Sequence, residues 1–380
     1  MIRVERINTD TAFQQLAPIW NQILEASASN TLTLTFEWLS CWWQTFKENR
    51  GLYILLARDG EAIIGIAPLL KRAVQHLGVL PYQRLEFLAS GEDEADEICS
   101  DYLDFICVRG RETDALTAIV TYLNQNSSDW DEILLTDISG ESINLPILEK
   151  LCEQYRMPVQ TVGEAIAVYL PLNQSWESIV QNVGSHFRRR IRQDRQVFSD
   201  FGGEFRIIDT GEGFAEGFAT LIELHQSRWE SKAESGVFAS PRFVEFHQRF
   251  AEQAIEQGWL RLYVALKNGE PFAAIYNFFY NRKVYYYQSG VNIAASGLHS
   301  PGILLQGLAI EDAMRSGLWE YDFLKSPEGS YKFKWRPQTR PLLQVRLAQS
   351  QAKERVYRAT TKMLNGLKNF KRGLRNKAAL

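Results

Sequence analysis

The chain is 380 residues long, 45% apolar and 12% aromatic, with a net charge of −3. That is material for two ordinary domains with filled cores, and it excludes a disordered or collagen-like chain. Four cysteines without paired spacing and five scattered histidines give no disulfide framework and no recognisable zinc or iron constellation.

Met1–Asp10 lacks the apolar core of a signal peptide. The apolar runs at 53–57 and 62–70 are far shorter than the roughly 20 residues that span a bilayer. The expected location is therefore the cytoplasm. Charge is unevenly spread. From Gln351 onward nine Lys and Arg face one Glu, so the tail carries +8 and the remainder −11. An acidic body with a basic tail suits a surface contact better than nucleic acid.

In chain order, Thr11–Ala26 and Phe36–Lys47 read as helices. Leu52–Ala57, an Asp59-Gly60 turn and Glu61–Lys71 read as a hairpin. Arg84–Ala89 is a strand, Gly91–Glu97 an acidic, solvated loop and Asp101–Val108 a strand. Helix Thr113–Asn124, strand Glu132–Thr136, helix Asn144–Gln154 and strand Val159–Leu170 close the half. The second half opens with a helix over Trp176–Ser199, whose middle, His186–Arg195, carries five arginines. A strand at Phe205–Asp209 and helices at Glu212–Lys232 and Pro241–Gln257 follow. Leu260–Leu266, an Asn268-Gly269 turn, Pro271–Tyr280, an Asn281-Arg282 turn and Lys283–Ser289 then form a meander. A loop at Gly297–Gly302 opens a helix over Ile303–Ser316, and Trp319–Leu324 is strand-like. Two copies of one α/β unit, or one larger sheet, account for this order. The tail, 356–377, has apolar residues at helical spacing with Lys and Arg on the other face, which fits peripheral contact with an anionic membrane.

A strand feeding a glycine-bearing loop onto a helix start is a device for holding pyrophosphate, because free amides and the helix dipole both point at the anion. The candidates here are Ser300, Gly302, Ile303 and Leu304. Asp322 lies on a short strand among Trp319, Tyr321 and Phe323. Partial burial would raise its pKa and suit it as a general base, although a salt bridge to Lys325 is an alternative. Trp229 could stack on a ligand while Arg228 reads a carboxylate or phosphate. Equally, Trp229 could be core and Arg228 could pair with Glu230 or Glu234.

Five segments together carry a family resemblance: Leu224–Trp229 (LHQSRW), Ser300-Pro301-Gly302, Tyr321–Lys325 (YDFLK), Tyr331-Lys332 before Trp335, and Phe36-Glu37-Trp38 with Asp101–Asp104. Their order resembles the GNAT acyltransferase superfamily, and most of all its CelD-like branch, related to the FemAB peptidyltransferases. The resemblance implies a mixed α/β, tandem GNAT-like fold. Residues 1–170 would be a degenerate first copy, 171–350 the acyltransferase copy and 351–380 the basic tail. It implies acetyl-CoA or another acyl-CoA as co-substrate, no metal, and an amine acceptor on a sugar, amino acid or cell-envelope or exopolysaccharide precursor. It places the acyl group beside Tyr287 and Ser289, on a strand that splays from its neighbour. Tyr331 becomes the proton donor to the leaving thiolate, and Lys325 and Lys332 join Arg228 and Trp229 at the acceptor. Where GNAT loops end on a small residue, this chain has Leu304. The alternatives are FemAB-like transfer from aminoacyl-tRNA, and an inactive scaffold at the membrane surface.

Overall fold

A computed structural model describes residues 2–76, 80–230, 235–350 and 354–355. The first half runs β1 (Ile2–Ile7), α1 (Asp10–Gln14), α2 (Ala17–Glu25), α3 (Phe36–Phe46), β2 (Arg50–Leu52), β3 (Ile54–Asp59), β4 (Ala62–Ala67), β5 (Leu69–His76), β6 (Leu80–Phe87), β7 (Ile106–Cys107), α4 (Glu112–Gln125), β8 (Glu132–Ser139), α5 (Asn144–Gln154) and β9 (Val159–Pro171). The second runs α6 (Trp176–Asn182), α7 (Ser185–Asp200), β10 (Glu204–Ile208), α8 (Phe214–Glu230), α9 (Pro241–Glu256), β11 (Leu260–Lys267), β12 (Glu270–Tyr280), β13 (Lys283–Val291), α10 (Ile293–Ser296), α11 (Pro301–Arg315), β14 (Glu320–Lys325) and β15 (Gln338–Ala348).

Among the described residues the strands form a four-stranded sheet, β1-β3-β4-β7, and an eleven-stranded one, β10-β11-β12-β13-β14-β9-β15-β8-β6-β5-β2. The larger sheet crosses from one half of the chain to the other. β9, from the end of the first half, lies between β14 and β15, and β15 pairs on its far side with β8. The two halves also share core. Trp38 on α3 is fully buried against Phe246 and Phe250 on α9 and Phe278 on β12.

Local chemistry explains where expected elements hold and where they break. The turns at Asn268-Gly269 and Asn281-Arg282 put both central residues at positive φ, the backbone of a tight two-residue hairpin. Thr35, Ser175 and Ser240 cap α3, α6 and α9 by accepting main-chain amides. The expected single helix at 11–26 is two, because Pro18 can begin a helix but not continue one. The helix expected over 176–199 is interrupted at Val183-Gly184, where the backbone turns extended. The strand expected at Asp101–Val108 shrinks to Ile106–Cys107. Tyr102 has φ +67°, and the Asp104 carboxylate takes the Phe105 amide. The amphipathic segment expected at 356–377 lies outside the described residues, and no described helix is long and apolar enough to cross a membrane.

One close approach fixes the frame of the site. Helix α8 packs on β13 at Gly290, where a Cβ would lie 2.5 Å from the His225 amide nitrogen and 2.8 Å from the Leu224 carbonyl carbon. Both are backbone atoms and cannot rotate away. Gly290→Ala should cost about 1–3 kcal/mol through overpacking, read as a lower denaturation midpoint with unchanged slope. An unchanged midpoint would show that α8 can move off the sheet at no cost.

Candidate functional site

β13 and β14 run parallel for three residue pairs, Lys283↔Glu320, Val284↔Tyr321 and Tyr285↔Asp322, and then part. Beyond that point β14 bulges, and Leu324 takes φ +62°, costly for a branched non-glycine residue. The Leu324 amide donates to Asp322 Oδ1 at 2.7 Å and the Lys325 amide to Asp101 Oδ2 at 2.5 Å. Two carboxylates thus satisfy main-chain donors just where the β13–β14 ladder ends.

The gap is a cavity of about 370 Å³. It gathers most of the residues singled out in the sequence. Arg228 and Trp229 come from α8, Tyr287 and Ser289 from β13, Lys325 from β14, and Tyr331 and Lys332 from the 3-10 turn Tyr331–Trp335. The expected splay of the 285–289 strand is present. Asp322 does not line this cavity. It is fully buried on the other side of β14, where Oδ2 accepts from the Tyr102 hydroxyl at 2.7 Å and from Arg340 at 3.4 Å. Burial and the Glu320 charge raise its pKa to about 6, against the pull of Arg340. Its geometry is that of a brace between halves.

Residues not assigned to the site from sequence stand in the cavity wall: Glu97, Cys99, Asp101, His225 and Tyr286. Asp101 is the most telling. It is wholly buried, one oxygen holds the Lys325 amide, and Oδ1 has no hydrogen-bond partner among the described residues. Burial, with the Asp137 charge behind it, pushes its pKa to about 8. Its sequence signal was the Asp101–Asp104 segment, read only as a family mark on a strand. Lys332 donates to the Phe323 carbonyl, and burial brings its pKa down to about 8. Cys99 is exposed, yet desolvation in the cavity wall and the Glu97 and Asp101 charges raise its pKa, which disfavours the thiolate.

The hydroxyls form a chain. Tyr286 donates to Ser289 Oγ at 2.8 Å, which leaves its oxygen to accept from Tyr331, also at 2.8 Å. Gln306 donates to Tyr331 at 3.3 Å and is itself fixed by the Trp335 indole at 2.9 Å. Burial raises the Tyr331 pKa well above the ordinary phenol, so it keeps its proton. The Trp229 indole donates to His225 Nε2 at 3.0 Å, which makes Nδ1 the protonated nitrogen and lets it donate to Gln226. That neutral tautomer agrees with the downward pull of burial on the His225 pKa. Arg228 and Trp229 are half-buried cavity residues, and Glu234 lies outside the described residues.

The other half of the 3-10 turn faces a second cavity, of about 430 Å³, at the start of α11. Ser300 and Ile303 line it with His186, Arg190, His299, Lys334 and Arg336, and no acidic side chain does. Leu304 is buried. The amides expected to be free here are largely in use. Those of His299 and Ser300 donate to buried Asp194 at 3.1 and 3.0 Å, and those of Ile303 and Leu304 donate to the Ser300 carbonyl. Pro301 has none, so Gly302 alone offers its amide among the described residues. Anion attraction in this cavity therefore rests on side-chain cations more than on a row of amides. The bulky Leu304 is accommodated because it points into the core.

Residues 185–334 match the family described as an acetyltransferase (GNAT) domain. The chain carries a GNAT acetyltransferase domain. The matched stretch, from α7 into the 3-10 turn, lines most of both cavities, while Glu97, Cys99 and Asp101 reach the first cavity from outside it. Among solved structures, FemX superposes with a TM-score of 0.59 at 11% identity, over 89% of this chain and 96% of its own. The C-terminal domain of a putative lysylphosphatidylglycerol synthetase from Agrobacterium fabrum gives 0.51 at 9% identity, over 93% and 97%. The L-PGS structure from Bacillus licheniformis gives 0.51 at 11%, over 91% and 95%. At these identities the likeness is one of fold, and it extends well beyond the GNAT domain to the first half of the chain. The mixed α/β class expected from the sequence is the one observed, with one eleven-stranded sheet running through both halves. No curated protein matches the chain.

Arg340 on β15 pairs bidentately with half-buried Glu320, at 2.9 and 2.8 Å, and with fully buried Asp322. Glu320 also has Lys283 at 3.2 Å. Arg340→Met should cost about 3–5 kcal/mol at pH 7, because it leaves buried Asp322 without its cation while Glu320 keeps only Lys283. Asp322→Asn should leave turnover within a few-fold of wild type, since an amide oxygen can still take the Leu324 amide. Urea denaturation and a transfer assay on the two variants would check this pair. Complete loss of turnover in folded Asp322→Asn would restore Asp322 to the chemistry.

Proposed function

We propose that the protein is an N-acyltransferase that joins an acyl group to a primary amine in the cavity between β13 and β14. The observation that carries this reading is the buried Asp101 carboxyl, which belongs to a residue lining the cavity and whose Oδ1 has no hydrogen-bond partner among the described residues. The acyl donor is acyl-CoA, whose phosphates suit the cation-lined cavity at α11, with Arg190, Lys334 and Arg336 as their partners. The acceptor amine belongs to a small molecule or a glycan precursor, and the first half of the chain supplies one wall of its cleft.

In this reading the acceptor nitrogen attacks the thioester carbon and passes its proton to Asp101. Main-chain donors of the unpaired edge of β13, with the Lys332 ammonium, stabilise the oxyanion. The carbon–sulfur bond then breaks and Tyr331 gives its proton to the departing sulfur; solvent restores the phenol, and Asp101 releases the amine proton to solvent. The reaction needs a base with a pKa near the working pH, which burial gives Asp101. Transfer from an aminoacyl ester of tRNA is the second reading. The observation behind it is the scarcity of free amides at α11, where His299 and Ser300 donate to Asp194.

Asp101 becomes a base as pH rises through about 8, and Lys332 loses its positive charge over the same range. Turnover should therefore climb towards pH 8 and fall beyond it, giving a narrow bell. Asp101→Asn should lower kcat by roughly 10²–10⁴ and abolish the acid limb. A variant with wild-type kcat and the same acid limb would remove Asp101 from the mechanism. The donor is tested by calorimetric titration of acetyl-CoA, with Gly302→Glu as control. An added Cβ at Gly302 meets only the Val291 side chain, at a contact distance of 3.4 Å, so a carboxylate there acts mainly by repelling phosphate. Saturable binding lost in that variant supports acyl-CoA, whereas absent binding moves the donor to aminoacyl-tRNA.

A further inference from the structure

A third cavity, of about 420 Å³, adjoins the transfer cavity and shares Glu97, Cys99 and Lys325 with it. Its own wall adds Glu92, Glu94, Asp137 and Glu164, and Lys325 is its one cationic side chain. Lys325 shows how the two cavities are spaced. Its main-chain amide rests on Asp101 in the transfer cavity, while its ammonium lies 3.0 Å from Asp137 and 3.7 Å from Glu97. The two acidic stations therefore stand one lysine apart, nitrogen to nitrogen, which is a five-carbon span. At the transfer end, Asp101 Oδ1 is buried and has no hydrogen-bond partner among the described residues. At the distal end Glu97 is half exposed, and Glu164, elsewhere in the same cavity wall, is exposed.

Resting on the acyltransferase reading, we propose that the acceptor is an α,ω-diamine of four or five carbons, bound alongside Lys325. One amine meets Asp101 and is acylated. The other remains an ammonium held by Glu97 and Glu164. The acidic wall selects a second positive charge, so a simple alkylamine is a poor substrate, and an anionic acceptor such as a nucleotide sugar is repelled. Acylation neutralises the reacting end and leaves one charge, so the product binds more weakly than the substrate and departs.

The test is calorimetric titration of 1,5-diaminopentane into the full chain, with 1-aminopentane as the singly charged control. The diamine should bind saturably and at least tenfold tighter than the monoamine. Two partly exposed ion pairs are together worth roughly tenfold, so Glu97→Gln/Glu164→Gln should weaken the diamine by about that factor and leave the monoamine unchanged. Equal binding of the two amines, or a double variant that binds the diamine like wild type, overturns the proposal. Thermal melting of the variant separates lost binding from lost fold. Diamine binding without transfer from any donor would sink the acyltransferase reading and leave this site standing.

Discussion

Everything at the site depends on the β13–β14 ladder stopping after three pairs. A parallel pair that continued would close the gap and consume its donors. It stops because Asp322 and Asp101 take the amides of Leu324 and Lys325, so β14 can turn away without leaving its own backbone unsatisfied. The cost is a branched residue at positive φ, of the order of 1–3 kcal/mol. The rest of the sheet on either side is regular enough to hold that strain. A cavity opened in this way has walls of strand backbone and buried tyrosine, and they do not need to reorganise when charge develops.

Burial then sets the protonation states. Within one enclosure, removal from water pushes the Asp101 carboxyl up and draws the Lys332 ammonium down, so the two approach each other near pH 8. Lys325, close by, goes the other way. Burial works against its charge, but Asp137 and Asp101 outweigh that and hold the ammonium firmly on. One lysine is thus poised to titrate and the other is a fixed cation. Their different environments follow from which carboxylates each one meets, not from residue type.

Much of the second half was legible in the sequence because its signals are local. Asn268-Gly269 and Asn281-Arg282 mark hairpins by their tolerance of positive φ, and Pro301-Gly302 marks a helix start. Seven of the residues picked from motif order, from Arg228 to Lys332, do converge on one cavity. What stayed hidden depends on long-range contact. Asp101 lies more than two hundred residues from Lys325, and nothing near it in sequence shows that its carboxylate is buried. Asp322 was legible as buried, but the side of β14 it faces depends on where the bulge begins. The sharing of β9 and β15 between halves was equally invisible, since strand order is set by docking and not by any one strand's composition.

That sharing gives the two halves different duties. A base drawn from residue 101 exists only when the first half is docked, for in an isolated second half the Lys325 amide and the distal end of the cleft would face water. The buried cluster of Glu320, Asp322, Tyr102 and Arg340 lies on this same junction, and charges removed from water hold together only if every partner is present. The buried pair of Glu132 with Arg346, at 2.8 Å, also joins the halves, so separating them takes a buried charged partner from each. Docking is then close to all-or-none, and the transfer cavity is a property of the whole sheet rather than of the GNAT domain alone.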